Sequence, residues 1–158
     1  MKYRCLTDEE LYELEEEFKH FLISNNVYTE EWESLNKKND KKVQLLVESF
    51  SDIVLEKALR SIKYLEHVTA IDIKSFKCED DKMILIGLTS ANKTIDFTKD
   101  SLSNFGKNID IFKTTKPYHK NRELEVFELL QSGCSIIEEE RFKKLELAHA
   151  YSTQQIKN

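Results

Sequence analysis

Glycine and proline are scarce in this chain, three and one among 158 residues. So little glycine excludes a backbone cradle for phosphate, and neither GxxxxGK[ST] nor GxGxxG occurs. GxSxG, CxxC and HExxH are missing too, which removes familiar hydrolase, thiol-redox and zinc-peptidase chemistry. The cysteines, Cys5, Cys78 and Cys134, are odd in number and far apart. They suit reduced thiols in a cytoplasm better than a secreted disulfide framework. The opening MKYRCLTDEE lacks the apolar stretch of a secretory signal. No apolar run approaches the ~20 residues of a membrane span. The expected setting is cytoplasmic, with no membrane partner.

Charge is what the chain has in abundance. Charged residues make up 34% of it against 40% hydrophobic, which predicts a modest core under a heavily ionised surface. Nine Phe and six Tyr argue against disorder. The net charge of −5 disfavours broad nucleic-acid affinity, although a local basic patch is compatible with it. The length fits one domain over 1–158, burying roughly 68–70% of its unfolded surface.

The period of the apolar residues changes near residue 62. Before it, Leu11, Leu14, Phe18, Phe21 and Leu22 recur at helical spacing, as do Val43, Leu46, Phe50 and Ile53. Thr7 and Glu10 form a capping box for a helix to about Ser24, ended by Asn25-Asn26. Thr29 caps a short helix carrying Trp32 and Leu35, and Asn36 to Asp40 is a polar break. The stripe of the next helix slips at Phe50-Ser51-Asp52, which predicts a kink or a new cap at Ser51. Strands are expected over 63–68, over 70–78 with a bulge at Ser75, over 83–88, over 94–97 and over 109–113. The run 83–88 is apolar except for Gly87, as a central strand covered on both faces would be. A short helix is expected over 98–105, closed by Gly106. Asn121 caps a helix to Gln131, closed by Gly133, and a last helix spans about 138–151. The fold class predicted is therefore α+β. N-terminal helices (1–61) pack on a small mixed or antiparallel sheet of about four to five strands (62–116). Two helices follow (117–151), then a frayed tail (152–158).

Four groups of residues invite a functional reading. Lys113-Thr114-Thr115-Lys116-Pro117-Tyr118-His119-Lys120-Asn121-Arg122 reads as a basic loop opening into a helix N-terminus. Free backbone N–H groups flanked by cations suit a phosphate, and Tyr118 suits a stacked base. Lys113, Lys116, Tyr118, Lys120 and Arg122 are thus candidate anion-binding residues. The first helix carries seven acids in ten residues, and Glu13, Glu16 and Glu17 on it, with Trp32, form a candidate partner-binding surface. Glu17/His20 and Glu146/His149 repeat the i, i+3 spacing of two-metal carboxylate bundles. The strand-like middle removes the bundle that such a site needs, so no metal residues are assigned. Cys78-Glu79-Asp80-Asp81 reads as a hairpin turn, because acids beside a thiol oppose its ionisation.

The segments MKYRCLTDEELYELEEEFKHFL, EEWESL, YLEHV and FKCEDDKMILIGL together resemble a family of small uncharacterised cytoplasmic proteins of the Bacteroidota. The resemblance spans most of the chain. It implies a small globular cytoplasmic protein and supplies no catalytic or binding residues.

The function expected is that of a non-catalytic protein acting on a macromolecular partner, most of all another protein. Phosphate or nucleic-acid binding through 113–122 is the alternative. A metal-dependent enzyme around His20 and His149 is the more remote one. No catalytic residue and no cofactor is predicted.

Overall fold

The computed structural model describes residues 1–38, 40–91, 94–99 and 109–157, with side chains through Gln154. Its contacts divide the chain into two compact units, Met1–Leu59 and Arg60–Asn158, and each is taken by itself.

The first unit is helical: α1 (Asp8–Glu13), α2 (Glu15–Ser24), α3 (Thr29–Lys37) and α4 (Lys41–Ser61), whose last turn contains the division. The capping box is present: Glu10 N–H donates to Thr7 Oγ1 at 3.2 Å, and Thr7 N–H donates to Glu10 Oε2 at 2.9 Å. The single helix expected to Ser24 is instead interrupted at Leu14 (φ −102°, ψ 25°). The break gives Glu15, Glu16 and Glu17 a second positive helix end, where a continuous helix would set them among like charges. Asn26 takes φ 60° and closes α2, with Val27 N–H donating to Leu22 O at 2.8 Å and Asn26 N–H to Ile23 O at 2.9 Å. That is a Schellman ending, and Leu22 and Val27 are its buried apolar pair.

Two expectations in this unit are corrected. Thr29 is the first residue of α3 and not its cap; the N-cap is Tyr28, with no side-chain hydrogen bond. Ser51 starts no helix, because α4 runs through it unbroken. Its hydroxyl donates to Val47 O at 2.7 Å and accepts from Leu6 N–H at 2.9 Å. The apolar stripe slips there because a polar residue is needed on a buried face to hold the N-terminal segment. That segment is also fixed by Asp52, which accepts from the backbone N–H groups of Lys2 and Tyr3, and by the Tyr3 hydroxyl on Glu56. Phe18, Phe21, Trp32 and Phe50 form an aromatic cluster with centroids 4.9–6.2 Å apart.

Among the described residues, the second unit is a sheet with two helices. Its strands are β1 (Tyr64–Val68), β2 (Asp72–Cys78), β3 (Lys82–Ser90), β4 (Ile109–Pro117) and β5 (Ser135–Ile136), with α5 (Arg122–Gln131) and α6 (Glu139–Lys157). The order is β4-β3-β2-β1-β5 and every pairing is antiparallel, so the α+β class holds with the sheet antiparallel throughout. One face buries Ile73, Ile86 and Leu88 against Phe142 and Leu145 of α6 and against Phe97, with Tyr64, Ile84, Ile109 and Ile111 around them. The other face buries Leu65, Phe76, Cys78 and Met83. β3 is central and covered on both faces, as its composition predicts.

No bulge interrupts β2: Ser75 is in register with Glu66 on one side and Ile86 on the other. The phase of its burial shifts because Ile73 and Ser75 are covered on one face while Phe76 and Cys78 are covered on the other. Residues 94–97 form no strand; Phe97 instead inserts into the core, with its N–H on Ala70 O at 3.1 Å. The helix expected over 98–105, with Gly106, falls almost wholly outside the described residues. α5 is capped by Asn121 and ended by Gly133 (φ 108°), as expected. The last helix, expected over about 138–151, continues as α6 to Lys157.

Candidate functional site: the outer edge of β4

The strand β4 runs to Pro117, so the basic loop expected over 113–122 is half strand. Its β-branched threonines and Ile109, Ile111 and Phe112 suit a pleated surface, and β3 supplies the ladder from Lys82 to Ser90. The ladder fixes which backbone groups remain open. The turn between β2 and β3 closes with Glu79 N–H on Lys82 O at 3.0 Å. Alternation from that pair turns the backbone groups of Met83, Leu85, Gly87 and Thr89 toward β4. They face Lys116, Thr114, Phe112 and Asp110. The N–H and C=O groups of Ile109, Ile111, Lys113 and Thr115 therefore point away from the sheet. Pro117, which lacks an N–H, ends this outward series. Among the described residues, no strand and no other backbone group pairs with that edge.

Side chains of β4 alternate across the sheet. Ile109, Ile111, Lys113 and Thr115 share the face of α6, and Asp110, Phe112, Thr114 and Lys116 share the other. Phe112 is 42% exposed, and its ring lies over Gly87, where an added Cβ would clash with Cζ and Cε1. Lys113 Nζ meets Glu146 Oε2 at 3.1 Å.

The other candidate anion-binding residues are dispersed by the same geometry. Lys116 lies across the sheet from Lys113. Lys120 Nζ is 2.6 Å from Glu128 Oε1. Arg122 is buried, and its guanidinium donates to three carbonyls: Ile62 O (2.5 Å), Cys78 O (3.1 Å) and Glu79 O (3.2 Å). The Tyr118 hydroxyl donates to Glu79 O at 2.7 Å. Burial first, then the Cys78 thiol, raises the Tyr118 hydroxyl well above its ordinary pKa, so it stays a donor. Arg122 and Tyr118 thus clamp the β2–β3 turn and the start of α5.

A second buried polar node joins α6 to the sheet. Arg141 donates to both carboxylate oxygens of Glu66, at 3.0 Å each, and Ser75 Oγ donates to Glu66 Oε2 at 2.7 Å. Ser75 is completely buried and Glu66 nearly so.

The partner-binding candidates lie in the helical unit. Glu13, Glu16 and Glu17 are exposed, with Glu16 3.7 Å from Lys19. Trp32 is half-buried, its ring edge-on to Phe18 at 5.1 Å. Among the described residues, no group of three or more His, Cys, Asp or Glu gathers as a metal would require. A cleft of about 250 Å³ is lined by Lys63, Tyr64, Lys77, Cys78, Glu79 and Asp80. Burial pushes its Cys78 thiol up to about 11, which favours the protonated form. Among the described residues, no helix is long and apolar enough to cross a membrane.

The arrangement defines an α+β protein with one long backbone edge left open among the described residues. Residues 1–150 match the family of unknown function DUF6495, and the chain belongs to that family. No curated protein and no solved structure matches the chain.

The edge extends beyond the strand expected over 109–113, an expectation that leaves Thr114 to Pro117 in a loop. The signal was present in two consecutive threonines followed by a proline, a pattern that suits the end of an edge strand.

Proposed function

We propose that this chain acts without chemistry of its own, by accepting an extended segment of another polypeptide along β4. The observation that supports this reading is the outward series Ile109, Ile111, Lys113 and Thr115, a row of backbone donors and acceptors ready for one more strand. Beside it, the exposed part of the Phe112 ring offers apolar contact for alternate side chains of the incomer. The anion alternative is weaker, because Lys113, Lys120 and Arg122 already hold protein groups. A cytoplasmic setting is inferred from free cysteines, two of them buried.

The test uses Thr115→Pro. Thr115 turns its N–H outward, so proline there removes a docking donor without breaking the β3 ladder. The wild-type chain, added to lysate of its source cells and recovered, should show slowed amide exchange at Ile109, Ile111, Lys113 and Thr115 together with a bound protein. Thr115→Pro should lose both. Bound protein with unchanged exchange along β4 would refute the assignment of the edge.

A further inference from the structure

Resting on that reading of the β4 edge, we infer that the strand it accepts is β4 of a second copy of this chain, paired antiparallel about a twofold axis through Phe112. A twofold normal to the sheet keeps each face continuous, so a residue pairs only with one of the same parity. Centred on Phe112, Ile109 pairs with Thr115 of the other copy and Ile111 with Lys113. Every outward N–H and C=O from Ile109 to Thr115 then finds a partner, and the series stops where Pro117 has nothing to donate.

The side chains agree with this register. On the face of Phe112, the two copies of this residue oppose one another at the axis, in a pair of the closer, non-hydrogen-bonded kind, each half-exposed ring resting on Gly87 of its own chain. Asp110 faces Thr114, and its diagonal neighbour is Lys116 of the other copy, within reach of a long side chain. The symmetry makes that opposite-charge contact twice. On the face of α6, Lys113 meets Ile111 and stays on Glu146 of its own chain. Shifting the axis by one residue to Lys113 would set two lysines against each other, which costs stability.

The experiment is sedimentation equilibrium of the purified chain, joined to cysteine cross-linking in a Cys5→Ser background. Wild type should sediment at twice the 18.7 kDa of one chain. Thr115→Pro should raise the dimer dissociation constant roughly tenfold or more while leaving the circular dichroism of the monomer unchanged. Opposed Cα atoms in a non-hydrogen-bonded pair lie about 4.5 Å apart, within disulfide reach, so Phe112→Cys should cross-link under mild oxidation. Thr114→Cys should not, because its two copies would be separated by roughly 14 Å along the strands. Cross-linking of Lys113→Cys in place of Phe112→Cys would overturn the register. A monomer at all concentrations would overturn self-pairing. If that monomer still showed protected β4 amides with a captured protein, the broader reading of the edge would survive; without protection, both would fall.

Discussion

Replacing Arg141 by methionine tests what fastens α6 to the sheet. The substitution keeps the aliphatic stem over the sheet and removes the fork that holds Glu66 at 3.0 Å on each oxygen. Glu66, whose side chain is 8% exposed, would retain only the Ser75 hydroxyl as a partner. Breaking a buried pair by removing one member costs about 3–5 kcal/mol, because the other charge is left uncompensated. Arg141 is itself one-third exposed, so water can reach the gap, and the lower end applies: about 3 kcal/mol. For a chain of this length that corresponds to a fall in Tm of about 6–12 °C. Urea denaturation followed by far-UV circular dichroism measures it. Adding Glu66→Gln removes the stranded charge and keeps an acceptor for Ser75, so the double variant should be more stable than Arg141→Met alone. A loss below about 0.5 kcal/mol for Arg141→Met, the usual range for surface substitutions, would refute the reasoning. So would a double variant as unstable as the sum of the two single ones.

Three further outcomes are expected. Gly87→Ala should destabilise by about 1–3 kcal/mol in urea, because its Cβ meets the Phe112 ring, and Phe112→Ala in the same chain should recover most of that. Ser51→Ala should cost about 1–3 kcal/mol by thermal melting, since Leu6 N–H loses its acceptor on a fully buried residue. The hydrogen bond from Arg4, and after it the backbone N–H of Thr7, lowers the Glu10 carboxyl from an ordinary 4.5 to about 2. A depressed carboxyl stabilises the folded chain above its unfolded pKa, and that contribution is lost as pH falls from 4.5 toward 2. Carboxyl NMR titration should show this value, and Arg4→Met should move it back toward 4.5.

Local chemistry is legible in the sequence where one residue decides the backbone. Thr7 with Glu10, Asn26, Asn121 and Gly133 each act within a few residues, and each helix end falls where they put it. The central strand was readable from Met83–Leu88 because burial on both faces leaves few polar residues. What escaped depends on contacts distant in sequence. Ser51 looks like a cap until Leu6, 45 residues away, supplies its donor. β5 is two residues long and exists only because β1 offers Leu65 and Glu66 for pairing. Lys113 to Arg122 looks like one cationic patch in one dimension. Strand alternation and the carbonyls of Ile62, Cys78 and Glu79 pull it apart in three.

The two borders of the sheet are unequal, nine residues on one side and two on the other. A sheet with two long open borders can add neighbours without limit and grow into a fibre. Here the short border gives an approaching chain almost nothing to grip. The molecule has, in effect, a valence of one: were a second copy to take the long border, as inferred above, growth would stop at a pair.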